Sequence, residues 1–134
     1  MAAKCHLVTF TSAQFDASAE TANPINPIAG ESVLQWLREG LRSAGYEVTV
    51  PQPEDWGWYV YVNGPSGSYL VGASSDLDQA IPREWIIQIH RQRSLTDKLL
   101  GRHKLTEDDA LSSSIEVMIR ENDGIQNVEV DRSA

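Results

Sequence analysis

The sequence predicts an α+β fold: a two-layer sandwich with a mostly antiparallel sheet, element order β-α-β-β-β-β-α-α-β, and helices on one face. Short apolar/polar alternations recur with connections too brief for parallel crossovers, which implies antiparallel pairing. Two stretches carry an apolar stripe at three- and four-residue spacing, enough helix to cover one side of such a sheet and no more. The 134 residues contain no internal repeat, low-complexity run or composition break. They therefore predict a single domain, long enough to bury a core without staples.

Residues 5–12, "CHLVTFTS", read as the first strand, with Val8 and Phe10 on one face and Leu7 and Thr9 on the other. Residues 13–30 lack useful periodicity and carry Asn23-Pro24 and Asn26-Pro27, steps that disfavour helix at the asparagine and suit turns. A loop of that length inside a domain is unusual and often functional. Helix follows over 31–44, where Val33, Leu34, Leu37, Leu41 and Ala44 form the stripe and Gly45 stands where a left-handed cap is wanted. Residues 46–50 alternate as a strand, with Val48 and Val50 inward. Pro51 and Pro53 make the segment after it a connection, since both cannot occupy a central strand.

The strand 56–62, the turn cluster "NGPSGS" (63–68) and the strand 69–75 form a hairpin. Strand 84–92 alternates Trp85, Ile87 and Ile89 against Ile86, Gln88 and His90. Ser94 with Asp97 opens a short helix that Gly101 ends. Thr106 is expected to cap the longer helix running to Gly124, whose buried stripe is Leu111, Ile115, Met118 and Ile119. A last strand, 125–131, points Val128 and Val130 inward.

The segment "PEDWGWYVYVNG" (53–64) is the most distinctive in the chain. Strict alternation puts Trp56, Trp58, Val60 and Val62 on one wholly apolar face, expected beneath the helices. Tyr59 and Tyr61 fall on the other face, expected to be uncovered and to carry Thr9, Thr49, Gln88 and His90 as well. Tyrosines among mixed polar neighbours are what interaction surfaces favour. Gly57 and Gly72 are expected on the same side, leaving gaps or allowing another backbone to approach.

The formal net charge is −8, from 19 acidic and 11 basic residues, which makes nucleic acid an unlikely partner. Six of the eleven cations lie between Arg83 and Lys104, so that segment is +4 and the remainder −12. Such a segment either pairs with the chain's own acids or meets an anionic partner. Hydrophobic content of 41% and charged content of 22% exclude a disordered chain. One cysteine, Cys5, allows no internal disulfide and fits a reducing, cytoplasmic compartment. No stretch approaches the ~20 apolar residues of a membrane span, and the opening residues carry no secretory leader pattern, so no membrane partner is expected.

Chemistry-bearing motifs are sparse. His6, His90 and His103 show no metal-ligand spacing, and Asp76-x-Asp78 opens no calcium loop, so no metal and no cofactor are expected. Cys5 and His6 are adjacent in a strand and point to opposite faces, which disfavours a thiol–imidazole nucleophile. The serines in "GPSGS" match neither a nucleophile elbow nor a phosphate loop. No catalytic residue is assigned. The run Pro51-Gln52-Pro53-Glu54-Asp55-Trp56-Gly57-Trp58, followed by a hairpin and the Trp85-x-Ile87-x-Ile89 strand, resembles small bacterial α+β proteins with an E-D-W-G-W strand. The resemblance covers residues 51–91 and implies neither an activity nor a site residue.

The expectation is a non-catalytic module that binds another protein, of the inhibitor, antitoxin or immunity kind, through Tyr59, Tyr61, His90, Arg91 and Arg93. The alternative is a small-molecule binder or enzyme with a pocket at Trp56 and Trp58.

Overall fold

The computed structural model describes residues 5–133. Eight strands pair antiparallel throughout: β1 (His6–Ser12), β2 (Ile28–Ala29), β3 (Glu47–Val48), β4 (Gln52–Glu54), β5 (Gly57–Gly64), β6 (Gly67–Asp76), β7 (Arg83–Arg91) and β8 (Ile125–Asp131). Their order is β3-β5-β6-β7-β1-β8, with β2 appended to β6 and β4 to β5. The helices are α1 (Glu31–Ser43), α2 (Leu95–Leu100) and α3 (Ala110–Arg120). The architecture is the two-layer α+β sandwich that the periodicities predict, with α1 against β3, β5 and β6 and α3 against β8.

The core lies between helices and sheet. Val33, Leu34, Leu37 and Leu41 of α1 and Leu111, Ile115 and Ile119 of α3 are buried against Trp58, Val60, Val62, Val71, Trp85, Ile87 and Ile89. Trp58 and Trp85 each withdraw up to ~150–250 Å² from water, a transfer gain of roughly 4–6 kcal/mol apiece before entropy is set against it. Trp58 Nε1 donates to the Ile28 carbonyl, so its polar atom enters the core with a partner. Phe15 joins from the long loop, edge-on to both Trp36 and Trp85.

Residues 13–30 are held by side-chain-to-backbone hydrogen bonds. The Glu20 carboxylate accepts from the amides of Gly30, Glu31 and Ser32 and from the Ser32 hydroxyl. It thereby satisfies the otherwise orphaned donors at the start of α1 and meets the positive end of the helix dipole. Asn23 Nδ2 donates to the carbonyls of Glu54 and Gly57, and Asn26 Nδ2 to that of Asp55. The loop is thus a strap over the Glu54–Gly57 turn, and its two-residue strand β2 is too short to leave a period in the sequence.

Ala44, expected in the α1 stripe, is exposed at the cap beyond Ser43, where the helix has ended. Four further expectations about the elements need correction. Residues 52–54 are not a plain connection: they fold back as β4 against β5, with Pro53 opposite Trp58 on an edge where the missing amide costs no ladder bond. Val50 is exposed, because β3 stops at Val48 and the alternation does not continue into residues that leave the sheet. The cap of α3 is Asp109, whose side chain accepts from the Ser112 amide, while Thr106 bonds Asp108 in the preceding turn. The fourth concerns Trp56.

Candidate functional site

Trp56 does not share the face of Trp58. The β4–β5 turn spans Glu54 to Gly57, and β5 begins only at Gly57, so Trp56 precedes the alternation that would place it. Gly57 has φ +148°, a conformation that side chains other than glycine's rarely adopt, and it reverses the direction in which the chain presents its neighbour. The indole therefore lies on the opposite side of the sheet, with its Cζ3 and Cη2 atoms over Gly72. A Cβ built on Gly72 would stand 2.5 Å from the ring. The expected gap at Gly72 is filled by the protein's own tryptophan.

That opposite side is the open face, since no described helix packs on it. Register aligns its side chains in rows. Tyr61, Leu70 and His90 are cross-strand neighbours, and the next row runs Tyr59, Gly72, Gln88, Leu7 and Asp131. Trp56, Tyr59 and Tyr61 form a ladder, with ring centroids 6.5 Å apart in the first pair and 5.4 Å in the second, the latter edge-on. Tyr61 is 41% exposed; Tyr59 and Trp56 are half-buried. His90 Nε2 lies 2.8 Å from Gln88 Oε1, and burial among these neighbours holds its pKa below the usual histidine value.

At the end of this face, Trp56, Ile28, Ile86, Ser74, Asp76 and Glu84 line a cleft of about 410 Å³. Trp58 does not reach it, being 3% exposed in the core, with its Nε1 bonded to the Ile28 carbonyl. Of the two tryptophans expected to form a pocket, the structure places only Trp56 there.

Arg91 and Arg93 are not on the face of Tyr59 and Tyr61. Arg91 is opposite Tyr69 in the register and points to the helical side. Its guanidinium lies over the Tyr69 ring, 5.5 Å from the centroid, with Nη1 3.4 Å from Asp109 Oδ1 and Nη2 donating to the Ser66 carbonyl. Asp109 also accepts from the Tyr69 hydroxyl at 2.8 Å, and burial foremost pushes the Tyr69 phenol up to about 12. Arg93 donates to the carbonyls of Arg102 and Asp97. Two of the six cations of the positive segment, Arg91 and Arg93, are therefore turned onto local acceptors, because the β7 alternation and the α2 capping turn bring carbonyls and Asp109 to them, while Lys98, Arg102 and Lys104 stay exposed.

One pair invisible to sequence reading is His6 with Ser112, Nδ1 to Oγ at 2.6 Å. The two lie 106 residues apart, with no motif to announce them. Both are buried, at 0% and 2% exposure, and Asp109 bonds the Ser112 amide instead of the imidazole. A serine–histidine pair so enclosed cannot meet a substrate, and it serves packing between β1 and α3. Burial, then the Arg132 charge, holds the His6 pKa low. Cys5, half-buried beside it, has its thiol pKa raised by burial and by Asp131, which disfavours the thiolate a nucleophile needs.

Among the described residues no group of three or more His, Cys, Asp or Glu side chains is placed to hold a metal ion. Among the described residues no helix is long and apolar enough to cross a membrane. Comparison with protein-family models, curated proteins and solved structures finds no match to this chain.

Proposed function

We propose that this is a non-catalytic, cytoplasmic protein-binding module of the inhibitor, antitoxin or immunity kind, and that the open sheet face is its contact surface. One observation carries the reading: the aromatic ladder Trp56–Tyr59–Tyr61 stands on a sheet face without helical cover, flanked by Leu70, Ile86, Gln88 and His90. Aromatic anchors with polar neighbours on a rigid sheet supply contact area at low entropy cost, the composition of binding surfaces. The sheet is rigid because its other side is filled by the core.

The test compares wild type with Tyr59→Ala/Tyr61→Ala as bait. Proteins retained by wild type alone are then purified and titrated calorimetrically. Loss of two central aromatic anchors is expected to weaken binding at least about tenfold, ~1.4 kcal/mol. A folded double variant with unchanged affinity removes this face from the reading.

The cleft beside Trp56 favours a second reading, a small-molecule site. Its volume suits a compact ligand, and Asp76 and Glu84 bias it towards cations. Titration of tryptophan emission against small cations, nucleotides and sugars tests it. A saturable change in wild type that Trp56→Phe abolishes supports the site; a flat response removes it.

A further inference from the structure

Among the described residues, six of the nine exposed large apolar side chains gather at the two opposite ends of the central strands. β6 and β7 are antiparallel, so the β6–β7 connection caps one end of the sheet and the chain leaving β7 into α2 caps the other. Ten residues of β6 separate these ends by roughly 30 Å. At the α2 end Leu95, Leu99 and Leu100 are 74%, 78% and 64% exposed. At the other end are Ile25, Leu77 and Ile81, the last 72% exposed.

The charges differ as well. Residues 93–104 hold four cations against one anion, Asp97. Arg93 is turned onto carbonyls and Arg102 pairs with Asp97 while staying exposed, so Lys98, Arg102 and Lys104 make the basic surface, and Glu107 and Asp108 bound it where the chain turns towards α3. Lys98 and Lys104 form no ion pair among the described residues. The other end carries Asp76, Asp78 and Glu84 with Glu54 and Asp55 nearby. Its lone cation, Arg83, is half-buried and felt by Asp16 on the helical side.

The leucines are held out by construction. A six-residue helix with no buried side chain has no stability of its own. α2 is fixed by a reciprocal Ser94/Asp97 capping box and by Arg93 bridging the Asp97 and Arg102 carbonyls. These local devices present Leu95, Leu99 and Leu100 outward in one conformation. Side chains this apolar and this exposed mark a contact surface, and local ordering lowers its entropy cost.

From this polarity we infer that the chain associates head to tail with further copies of itself, the basic leucine end of one copy seating on the acidic, isoleucine-bearing end of the next. The occupant is a second copy because the same molecule supplies both complements, apolar to apolar and positive to negative, at opposite poles. Such a contact is heterologous: each copy retains one free end, so association continues past the dimer unless the rotation closes a ring. The contact is small and therefore transient. It uses neither Tyr59 nor Tyr61 and stands independently of the proposed binding face.

The test is sedimentation equilibrium of the whole chain, at up to about 1 mM and low ionic strength. Wild type is expected to exceed twice the monomer mass at the highest concentration and to return towards monomer near 1 M salt, where screening acts within ~3 Å. Two variants are blocked at one end each: Leu99→Glu with Lys98→Glu, and Ile81→Asn with Asp78→Asn, the second block neutral so that the two blocked ends do not attract one another. All four positions are exposed, and circular dichroism verifies that both variants fold. Each variant alone is expected to be monomeric, while their equimolar mixture forms a dimer and nothing larger, because one intact head meets one intact tail. A monomeric wild type overturns the inference, including one that binds anionic vesicles through Leu99. So does self-association of either variant alone, or a mixture that stays monomeric.

Discussion

Replacing Gly72 with alanine tests the placement of Trp56 most directly. Gly72 sits mid-strand in β6 between Tyr59 and Gln88, without a positive φ, so alanine meets no backbone obstacle there. What it meets is the indole, 2.5 Å from the new methyl, and Gln88 Cγ at 3.1 Å. A half-buried indole withdraws about 100 Å², so displacing it forfeits up to ~2.5 kcal/mol. Alanine returns ~0.4–1 kcal/mol by restricting the unfolded chain. Gly72→Ala should therefore cost a net ~1–2 kcal/mol. In a Trp56→Ala background the methyl has only the flexible Gln88 side chain to move, and the same substitution should be neutral or slightly stabilising. Urea unfolding followed by far-ultraviolet circular dichroism, which does not depend on the tryptophan removed, gives all four corners of the cycle. A coupling below about 0.5 kcal/mol, with equal costs in both backgrounds, would refute the placement of the ring over Gly72.

Other consequences follow from the buried polar groups. Asp109→Ala strips the cap of α3, the partner of the Tyr69 hydroxyl and the counter-charge of Arg91, and should cost ~3–5 kcal/mol in urea unfolding; Asp109→Asn, which still caps and accepts, should cost clearly less. Glu20→Ala removes the remote carboxylate that caps α1 and should cost ~1–2 kcal/mol, although Glu20 lies eleven residues upstream of the helix start; a loss below ~0.3 kcal/mol would show that water replaces it. Burial depresses the pKa values of His6 and His90, so the unfolded chain binds their protons first. Stability should be complete above the ordinary histidine value near 6.5 and fall as pH drops below it. His6→Gln should flatten that slope, and an unchanged slope would locate the effect elsewhere. The raised Tyr69 pKa acts at the other extreme: the unfolded phenol ionises from about pH 10, so stability should fall between there and about 12, and Tyr69→Phe should blunt the fall.

The local rules were legible in the sequence because they depend on neighbours within a few residues. Periodicity identified the stripes of α1 and α3 and the two sides of β1 and β7, and the Ser94/Asp97 box appears as read. The alternation of β5 was also right from Trp58 onward. It failed two residues earlier, at Trp56, because parity holds only inside a strand and the turn at Gly57 resets it. Val50 failed for the same reason.

Other features depend on approaches that no local pattern encodes. Glu20 capping α1, Asn23 strapping the β4–β5 turn, and Asp109 collecting Tyr69, Arg91 and the Ser112 amide all join groups whose spacing follows no repeat. Strand order likewise had to await the pairing of β1 between β7 and β8. By itself the sequence determined which residues are apolar, at what period, and hence that two helices cover one side of an antiparallel sheet. Only the tertiary structure decided that Trp56 joins the tyrosines over Gly72 and that Arg91 turns inward, because a side chain's final surroundings are set by the segments that fold against it.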